Sequence, residues 1–192
     1  SSIKTDGPKP CDPLVHKSIK PKVLLLGETA SPQPDQRGME YSERSMWTVL
    51  GEIKGKSCSP SSSSFMELRD YVLGSGIAIW DVLSDVHVKS SQRRKGGKKR
   101  RTADRSGNPN GIELFLQEHA SIEALAFIGA KARKTFANHF CAEGNTKKVI
   151  FAGRKIDLIE LPSSSRANSR MSLAEKATTW EDVFVKYQNH TT

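Results

Sequence analysis

Three segments of small and polar residues have the types and spacing that a binding or catalytic site needs. They are GETASP at 27–32, FIGAKA at 127–132 and LPSSSRAN at 161–168, and each follows an apolar run. Glycine and serine let a ligand approach the backbone, so such segments can bring N–H groups close to an anion or a planar ring. Glu28 adds a carboxylate that could accept a proton. The three segments predict a site for an anionic or planar ligand.

Several of these residues also have an ordinary structural explanation. Gly27 and Gly129 each suit a tight turn between a strand and a helix. Glu28 can equally cap a neighbouring loop, and Asp81 is predicted to hydrogen-bond a helix start. His87 is a lone imidazole and is predicted to be a surface residue. Only the convergence of the three segments favours a site over these separate explanations.

Positive charge is concentrated in the window between Arg93 and Arg105. The window carries seven of the nine net positive charges, which leaves +2 for the rest of the chain. Its basic residues are Arg93, Arg94, Lys95, Lys98, Lys99, Arg100, Arg101 and Arg105. A cluster of this size indicates a polyanionic partner.

The elements that must position these residues follow from hydrophobic periodicity. Strands are predicted in PKVLLLGET, GSGIAIWDVL (ending near Asp81), SIEALAFIGA and KIDLIELP, with a short strand in KKVIFAG. Helices are predicted in SERSMWTVLGEIK, FMELRDYVL, NPNGIELFLQEH, AKARKTFANHF and SLAEKATTWEDVFVKY. This alternation indicates a parallel sheet covered on both faces. Because ligands bind at the carboxyl ends of parallel strands, the three segments are expected to meet at one edge.

Helix starts are marked by capping residues. Ser42 is predicted to cap the first helix, and Asn108 or Asn110 the helix after the basic window. Ser172 and Glu175 have the spacing of a capping box at the last helix.

Length and composition indicate one domain with an appended arm. The chain has 192 residues and starts without Met. We expect an extended arm over 1–20, a single domain over 21–188 and a basic insertion at about 89–109. Three dispersed cysteines predict reduced thiols in an intracellular compartment and argue against a disulfide framework or a zinc site; these are Cys11, Cys58 and Cys141. No cofactor and no metal are expected. No apolar run is long enough for a membrane span, so no membrane partner is expected.

The order of these motifs resembles the uracil-DNA glycosylase superfamily, and within it the hypoxanthine-DNA glycosylase branch. The resemblance runs from Lys22 to Trp180 through LLLGETASP, EYSERSMW, GIAIWDVL, NPNGIELFLQEH, IEALAFIGAKA, LPSSSRAN and EKATTW. It implies an α/β fold, a three-layer α/β/α sandwich with a four-stranded, mainly parallel central sheet. It also implies a DNA groove across the strand ends and a pocket for a flipped-out base.

The resemblance implies which residues form that pocket. They are Gly27, Thr29, Ser31, Tyr41, Arg44, Ile128, Gly129, Ser163, Ser164, Ser165 and Asn168. Tyr41 could stack on a base, whereas Trp47, at helical spacing with Leu50, is predicted to lie in the core.

The sequence departs from the family pattern at polar pocket positions. The branch typically carries Asn three residues before the residue equivalent to Trp47, and this chain has Arg44 there. A second Asn is replaced by Ile128, and a Pro of the last motif by Arg166. Arginine has no acceptor with which to orient a water, and isoleucine has neither donor nor acceptor. If the chain is active, Glu28 is the predicted catalytic base, with Asp81 or Asp85 assisting.

The nucleic-acid-binding features are reinforced at the same time. Arg44, Arg166, Arg170 and the basic window are all expected on the strand-end side, where arginine can bind phosphate or stack on bases in RNA or DNA. The favoured hypothesis is therefore a catalytically degenerate, nucleic-acid-binding structural or accessory subunit of a nucleoprotein assembly. An organellar ribosome, with rRNA and other proteins as partners and a mitochondrial location, is its most concrete version.

Two alternatives stay open at this point. One is an active monofunctional DNA glycosylase that hydrolyses the N-glycosidic bond of uracil or hypoxanthine in base excision repair. The other treats RRKGGKKRR as a nuclear address on a surface loop.

Overall fold

A computed structural model describes residues 12–29, 45–55, 63–84, 87–88, 105–141 and 147–188. In chain order its elements are β1 (Val23–Thr29), α1 (Ser45–Lys54), α2 (Ser63–Gly74), β2 (Ile77–Leu83), β3 (His87–Val88), β4 (Arg105–Ser106), α3 (Ile112–Glu118), β5 (Ala124–Ile128), α4 (Gly129–Phe140), β6 (Lys148–Phe151), β7 (Arg154–Leu161) and α5 (Leu173–Gln188).

The main sheet has five strands in the order β2-β1-β5-β7-β6. The first four run parallel, as predicted, and β6 pairs antiparallel with β7. The predicted count of four is therefore short by the edge strand β6. Ala152 and Gly153 connect β6 to β7 in a two-residue turn with φ of 47° and 73°. Such positive φ angles match the twist of a tight hairpin and allow the short return.

Alternating residues of the parallel strands contribute side chains to two separate hydrophobic cores, one on each face of the sheet. Val23 and Leu25 face α1, α2 and α5, whereas Leu24 and Leu26 face α3 and α4. All four side chains are fully buried. A strand that is apolar on both faces must be covered by helices on both sides, so the continuous apolar runs explain the three-layer α/β/α arrangement.

The described part of the predicted N-terminal arm lies against the sheet edge. Leu14 exchanges two backbone hydrogen bonds with Ile79 of β2, at 2.8 and 2.9 Å. Leu14 packs against one core and Val15 against the other. This segment covers the open edge of β2, which would otherwise expose unpaired backbone groups.

A small hairpin that the sequence pattern does not predict is formed by residues on either side of 89–104. His87 and Val88 pair antiparallel with Ser106 and Arg105. Below them, the Ser84 N–H donates to the Asn108 carbonyl at 2.9 Å. Val88 and Arg105 therefore lie side by side, beyond the carboxyl end of β2.

Two helix starts test the predicted caps. Ser172 and Glu175 form the predicted capping box: Glu175 Oε2 accepts from the Ser172 N–H at 2.7 Å, and Ser172 Oγ accepts from the Glu175 N–H at 3.2 Å. The prediction for α3 is wrong, because Gly111 is the N-cap and no side chain caps that helix. Buried Asn110 instead donates its amide to the Asp81 carbonyl at 2.9 Å. Ser42 lies outside the described residues.

Candidate nucleic-acid interface

The carboxyl ends of β1, β5 and β7 enclose a cleft of about 260 Å³, which we call the strand-end cleft. Its lining residues are Gly27, Glu28, Thr29, Ser45, Met46, Ile128, Ser163, Ser164 and Ser165. The three segments singled out in the sequence do meet at one edge. Gly129 lies directly beneath them, and Asn168 lies in a neighbouring cleft. Ser31, Tyr41 and Arg44 fall outside the described residues.

Gly129 allows β5 to approach LPSSSRAN at 161–168, which we call the serine segment. Its φ is +85°, and a Cβ at this position would lie 3.1 Å from Ser163 Cβ. Both the backbone conformation and the limited space therefore require glycine. The predicted tight turn at Gly129 also brings Ser163 to the cleft.

The serine segment is ordered by its own backbone. Ser163 Oγ accepts a hydrogen bond from the Ser165 N–H at 3.3 Å, and Ser165 Oγ accepts one from the Ala167 N–H at 3.2 Å. The Asn168 N–H donates to the Ser165 carbonyl at 3.1 Å. These short-range bonds are typical of Ser-stabilised turns, and they fix the hydroxyl groups at the cleft.

Two residues of α5 hold the serine segment from below, and sequence reasoning did not single them out. Lys176 Nζ donates to the carbonyls of Ser165 and Asn168, at 3.0 and 3.1 Å. Trp180 Nε1 donates to the Pro162 carbonyl at 3.0 Å. Residues four apart on a helix share one face. The spacing within EKATTW could therefore have indicated a paired contact.

Ser45 links the site to α1. Its Oγ lies 2.8 Å from Ser164 Oγ, and both residues line the strand-end cleft. Ser45 was not a predicted site residue, although it follows Arg44 directly in the sequence.

Glu28 is bound to α4. It lies on the same face of β1 as Leu24 and Leu26, because side chains alternate along a strand. Its Oε2 pairs with Lys131 Nζ at 2.7 Å, and its Oε1 accepts from Thr135 Oγ1 at 3.4 Å. The capping explanation is thus close to what is observed, except that the partner is a helix.

Ile128 occupies the N-cap position of α4 with φ −76° and ψ 82°. Isoleucine offers no acceptor, and no side chain caps this helix. The Ile128 side chain instead packs against the core that the sheet shares with α1, α2 and α5, and it lines the strand-end cleft. An apolar side chain therefore lines this part of the cleft.

The other polar candidates are distributed as follows. Asp81 is 1% exposed within β2, which continues two residues beyond it to Leu83. Trp47 is 1% exposed and meets Phe65 edge-on at 5.1 Å, so the predicted core position is confirmed. His87 contributes backbone pairing to β3. Asp85 lies outside the described residues.

The predicted cations are only partly described. Arg166 and Arg170 are exposed on the segment after β7 and, in the described portion, form no ion pair. Arg105 contributes backbone pairing to β4. The remaining seven basic residues of the window lie outside the described residues.

The described residues contain no group of His, Cys, Asp and Glu side chains that could hold a metal ion. None of their helices is both long and apolar enough to cross a membrane. Cys141 forms no disulfide.

Comparison with known proteins places the fold. No protein-family model matches the chain, and neither does any curated protein. The structure is similar to the solution NMR structure of a "putative uracil DNA glycosylase" from Methanosarcina acetivorans, with a TM-score of 0.59 and 19% identity. The match covers 93% of this chain and 96% of the other. The protein therefore has a uracil-DNA-glycosylase-like α/β fold, with the parallel sheet that the sequence predicted.

Proposed function

We propose that this protein binds nucleic acid across the carboxyl end of its sheet and that its strand-end cleft has lost glycosylase chemistry. The observation that carries the proposal is the state of Glu28. It is the one carboxylate among the described residues that line the cleft, and it is engaged by Lys131 and Thr135.

Glycosidic hydrolysis makes demands that the cleft meets poorly. A water must be oriented, and the departing base must be met by fixed donors. Ile128 can do neither. Glu28 is turned toward α4, on the face of β1 opposite to the core formed with α1, α2 and α5. The hydroxyls of Ser163 and Ser164 stay available as polar contacts but are not bases at neutral pH.

Binding is supported by charge at the same edge. Arg166 and Arg170 are exposed on the segment after β7. The β3–β4 hairpin pairs Val88 with Arg105, the last residue of the basic window, beyond the carboxyl end of β2. Arginine suits both phosphate binding and base stacking. The combination supports a nucleic-acid partner, whether DNA or RNA.

A larger assembly is a natural extension of this proposal. A binding fold without chemistry, enlarged by a basic insertion, suits a structural or accessory subunit that contacts RNA and neighbouring proteins. An organellar ribosome, and hence a mitochondrial location, is the version we favour over a nuclear one.

The salt dependence of binding tests the role of the basic window. Deleting 93–101 removes seven cations. If all seven contact phosphates of a duplex, the slope of log affinity against log salt should become less steep by about 6. Structured RNA and duplex DNA should be compared in the same series. An unchanged slope would refute the role given to the window.

An active DNA glycosylase is the second candidate. Glu28 and three serines do line a cleft at the strand ends of a uracil-DNA-glycosylase-like fold. For this candidate, Glu28 must leave Lys131 and accept a proton from the attacking water as the base departs. Strand scission at uracil or hypoxanthine that is lost in Glu28→Gln would support it.

A further inference from the structure

A second cleft adjoins the strand-end cleft on the side of α1 and α5. We call it the lysine cleft; its volume is about 320 Å³. Its lining residues are Ser45, Thr48, Ser164, Arg166, Asn168, Ser169, Met171, Leu173 and Lys176. Ser45 and Ser164 line both clefts, and their 2.8 Å contact lies between them. The two clefts are therefore neighbours along one surface.

The lysine cleft contains a buried positive charge. Lys176 is only 4% exposed, and its ammonium donates to two neutral carbonyls, those of Ser165 and Asn168. An ammonium group has three donors, so two carbonyls leave one N–H to be satisfied. Within the described ranges, no carboxylate pairs with Lys176. A buried cation that lacks an opposite charge is costly, and an anion bound in the cleft would offset that cost.

The remaining walls determine which anion fits. Arg166 adds a second cation, and Ser169 adds a hydroxyl donor. Ser45 and Ser164 are hydrogen-bonded to each other, so one of their two hydroxyl hydrogens is free to meet a ligand. Tetrahedral phosphate oxygens accept hydrogen bonds from such donors and pair with arginine. Met171 and half-exposed Leu173 form an apolar wall beside them. This wall suits the sugar or base attached to a phosphate better than it suits a fully hydrated ion.

We propose that the lysine cleft binds the phosphate group of a nucleotide, with Lys176 and Arg166 as its cationic contacts. The phosphate can come from a nucleic-acid strand or from a free mononucleotide. The strand as the source rests on the proposed function, whereas the preference for a phosphate does not.

The test uses backbone amide NMR on the full chain, titrated separately with inorganic phosphate, uridine 5′-monophosphate and a short single-stranded oligonucleotide. We expect the oligonucleotide and the mononucleotide to shift the amides of residues 164–169. Arg166→Gln should weaken that binding about tenfold, the loss expected for one charge-assisted contact. Lys155→Gln is the matched control, because Lys155 is an exposed cation at the opposite end of β7.

Lys176→Met serves as a second variant, and Arg166→Gln keeps the test valid if that variant does not fold. Shifts with phosphate and mononucleotide but no binding of the oligonucleotide would support the phosphate site and contradict the proposed function. Oligonucleotide binding without shifts at 164–169 would overturn the site and leave the proposed function standing. No shift with any of the three ligands, or equal effects of Arg166→Gln and Lys155→Gln, would also overturn the site.

Discussion

The two ends of the parallel sheet use their charged residues differently. At the amino end, Lys22 pairs with Glu123 at 2.6 Å, and Lys148 pairs with Asp157 at 2.9 Å. Arg154 donates to the Leu116 carbonyl in the last turn of α3, which helps to satisfy that helix end, and to the carbonyls of Ala120 and Ile122 beyond it. Lys22, Lys148 and Arg154 are thus engaged by the fold at this end.

At the carboxyl end Lys131 pairs with Glu28, whereas three other cations lack a carboxylate partner among the described residues. Arg166 and Arg170 are exposed, and across the ranges that the structure describes neither forms an ion pair. Lys176 is buried against neutral carbonyls. This contrast supports the proposal that the carboxyl end binds a ligand.

The largest effect should come from Gly129→Ala, which tests the close approach at the carboxyl end. Positive φ alone costs a non-glycine residue about 1–2 kcal/mol, and contact with Ser163 should raise the loss of unfolding free energy to about 3 kcal/mol. Gly153→Ala is the matched control, since Gly153 has φ +73° at the amino end with nothing within 4 Å of its Cβ position. Urea unfolding measures both losses, and equal losses would show that packing on Ser163 contributes nothing.

Next in size is a pair of cation deletions, one at each end of the sheet. Lys176→Met and Arg154→Met each remove hydrogen bonds from a cation to carbonyls. Each should lower the free energy of unfolding by about 2 kcal/mol. Only Lys176→Met should also weaken oligonucleotide binding, measured by fluorescence anisotropy at fixed salt. A similar loss of affinity in Arg154→Met would erase the distinction between the two ends.

A smaller effect concerns acid stability at the amino end. Burial opposes ionisation of Asp157, but hydrogen bonds from Tyr187 and Lys148 together lower its pKa below the ordinary 3.8. A carboxyl whose pKa is lower in the folded than in the unfolded state stabilises the fold at a pH above its unfolded-state pKa. That stabilisation is lost as the pH falls through the folded-state pKa. Stability should therefore decline below about pH 3.8, and Tyr187→Phe should flatten that decline while costing about 1 kcal/mol near neutrality.

The dependence of stability on alkaline pH gives an independent check of the contact between Asp157 and Tyr187. Burial, and then the hydrogen bond that Tyr187 donates to Asp157 at 2.7 Å, raise the pKa of the Tyr187 phenol well above its ordinary 10.0. A phenol whose pKa is higher in the folded than in the unfolded state stabilises the fold at a pH below its unfolded-state pKa. That stabilisation is lost as the pH rises through the folded-state pKa. Urea unfolding above pH 10.0 should show a decline that Tyr187→Phe removes. The same decline in both proteins would exclude Tyr187 as its source.

The smallest effect should come from the cap of α5. Ser172→Ala removes the capping hydroxyl and should cost about 0.5–1 kcal/mol. Hydrogen bonds from the backbone and side chain of Ser172 lower the pKa of Glu175, so the substitution should raise that pKa toward 4.5 in an NMR titration. Oligonucleotide affinity should not change, because Lys176 and Trp180 hold the serine segment independently of the cap.

The regular elements were predictable because their physical signals are strong and local. Continuous apolar runs indicated buried parallel strands, and the Ser172–Glu175 spacing indicated the start of α5. The β3–β4 hairpin was not predictable, since two-residue strands have no periodicity. Asn110 was assigned as a cap because its type suits that role, but burial directs its amide to the Asp81 carbonyl.

The site was predictable in its location and only partly in its contacts. Strand ends marked by glycine and serine indicated where Gly27, Ile128 and the serines would meet. Lys176 escaped notice because a lysine in an amphipathic helix ordinarily faces solvent, and only the tertiary fold buries it. The partner of Glu28 was equally hidden, since Lys131 lies about 100 residues further along the chain.

The central claim is that the carboxyl end binds nucleic acid without hydrolysing it, and one assay tests both parts. Duplexes containing U·G, U·A or hypoxanthine·T are saturated with the protein, binding is recorded, and alkali then cleaves any abasic site. The prediction is a bound, salt-sensitive duplex with no strand scission. Scission that disappears in Glu28→Gln would contradict the claim and establish an active glycosylase.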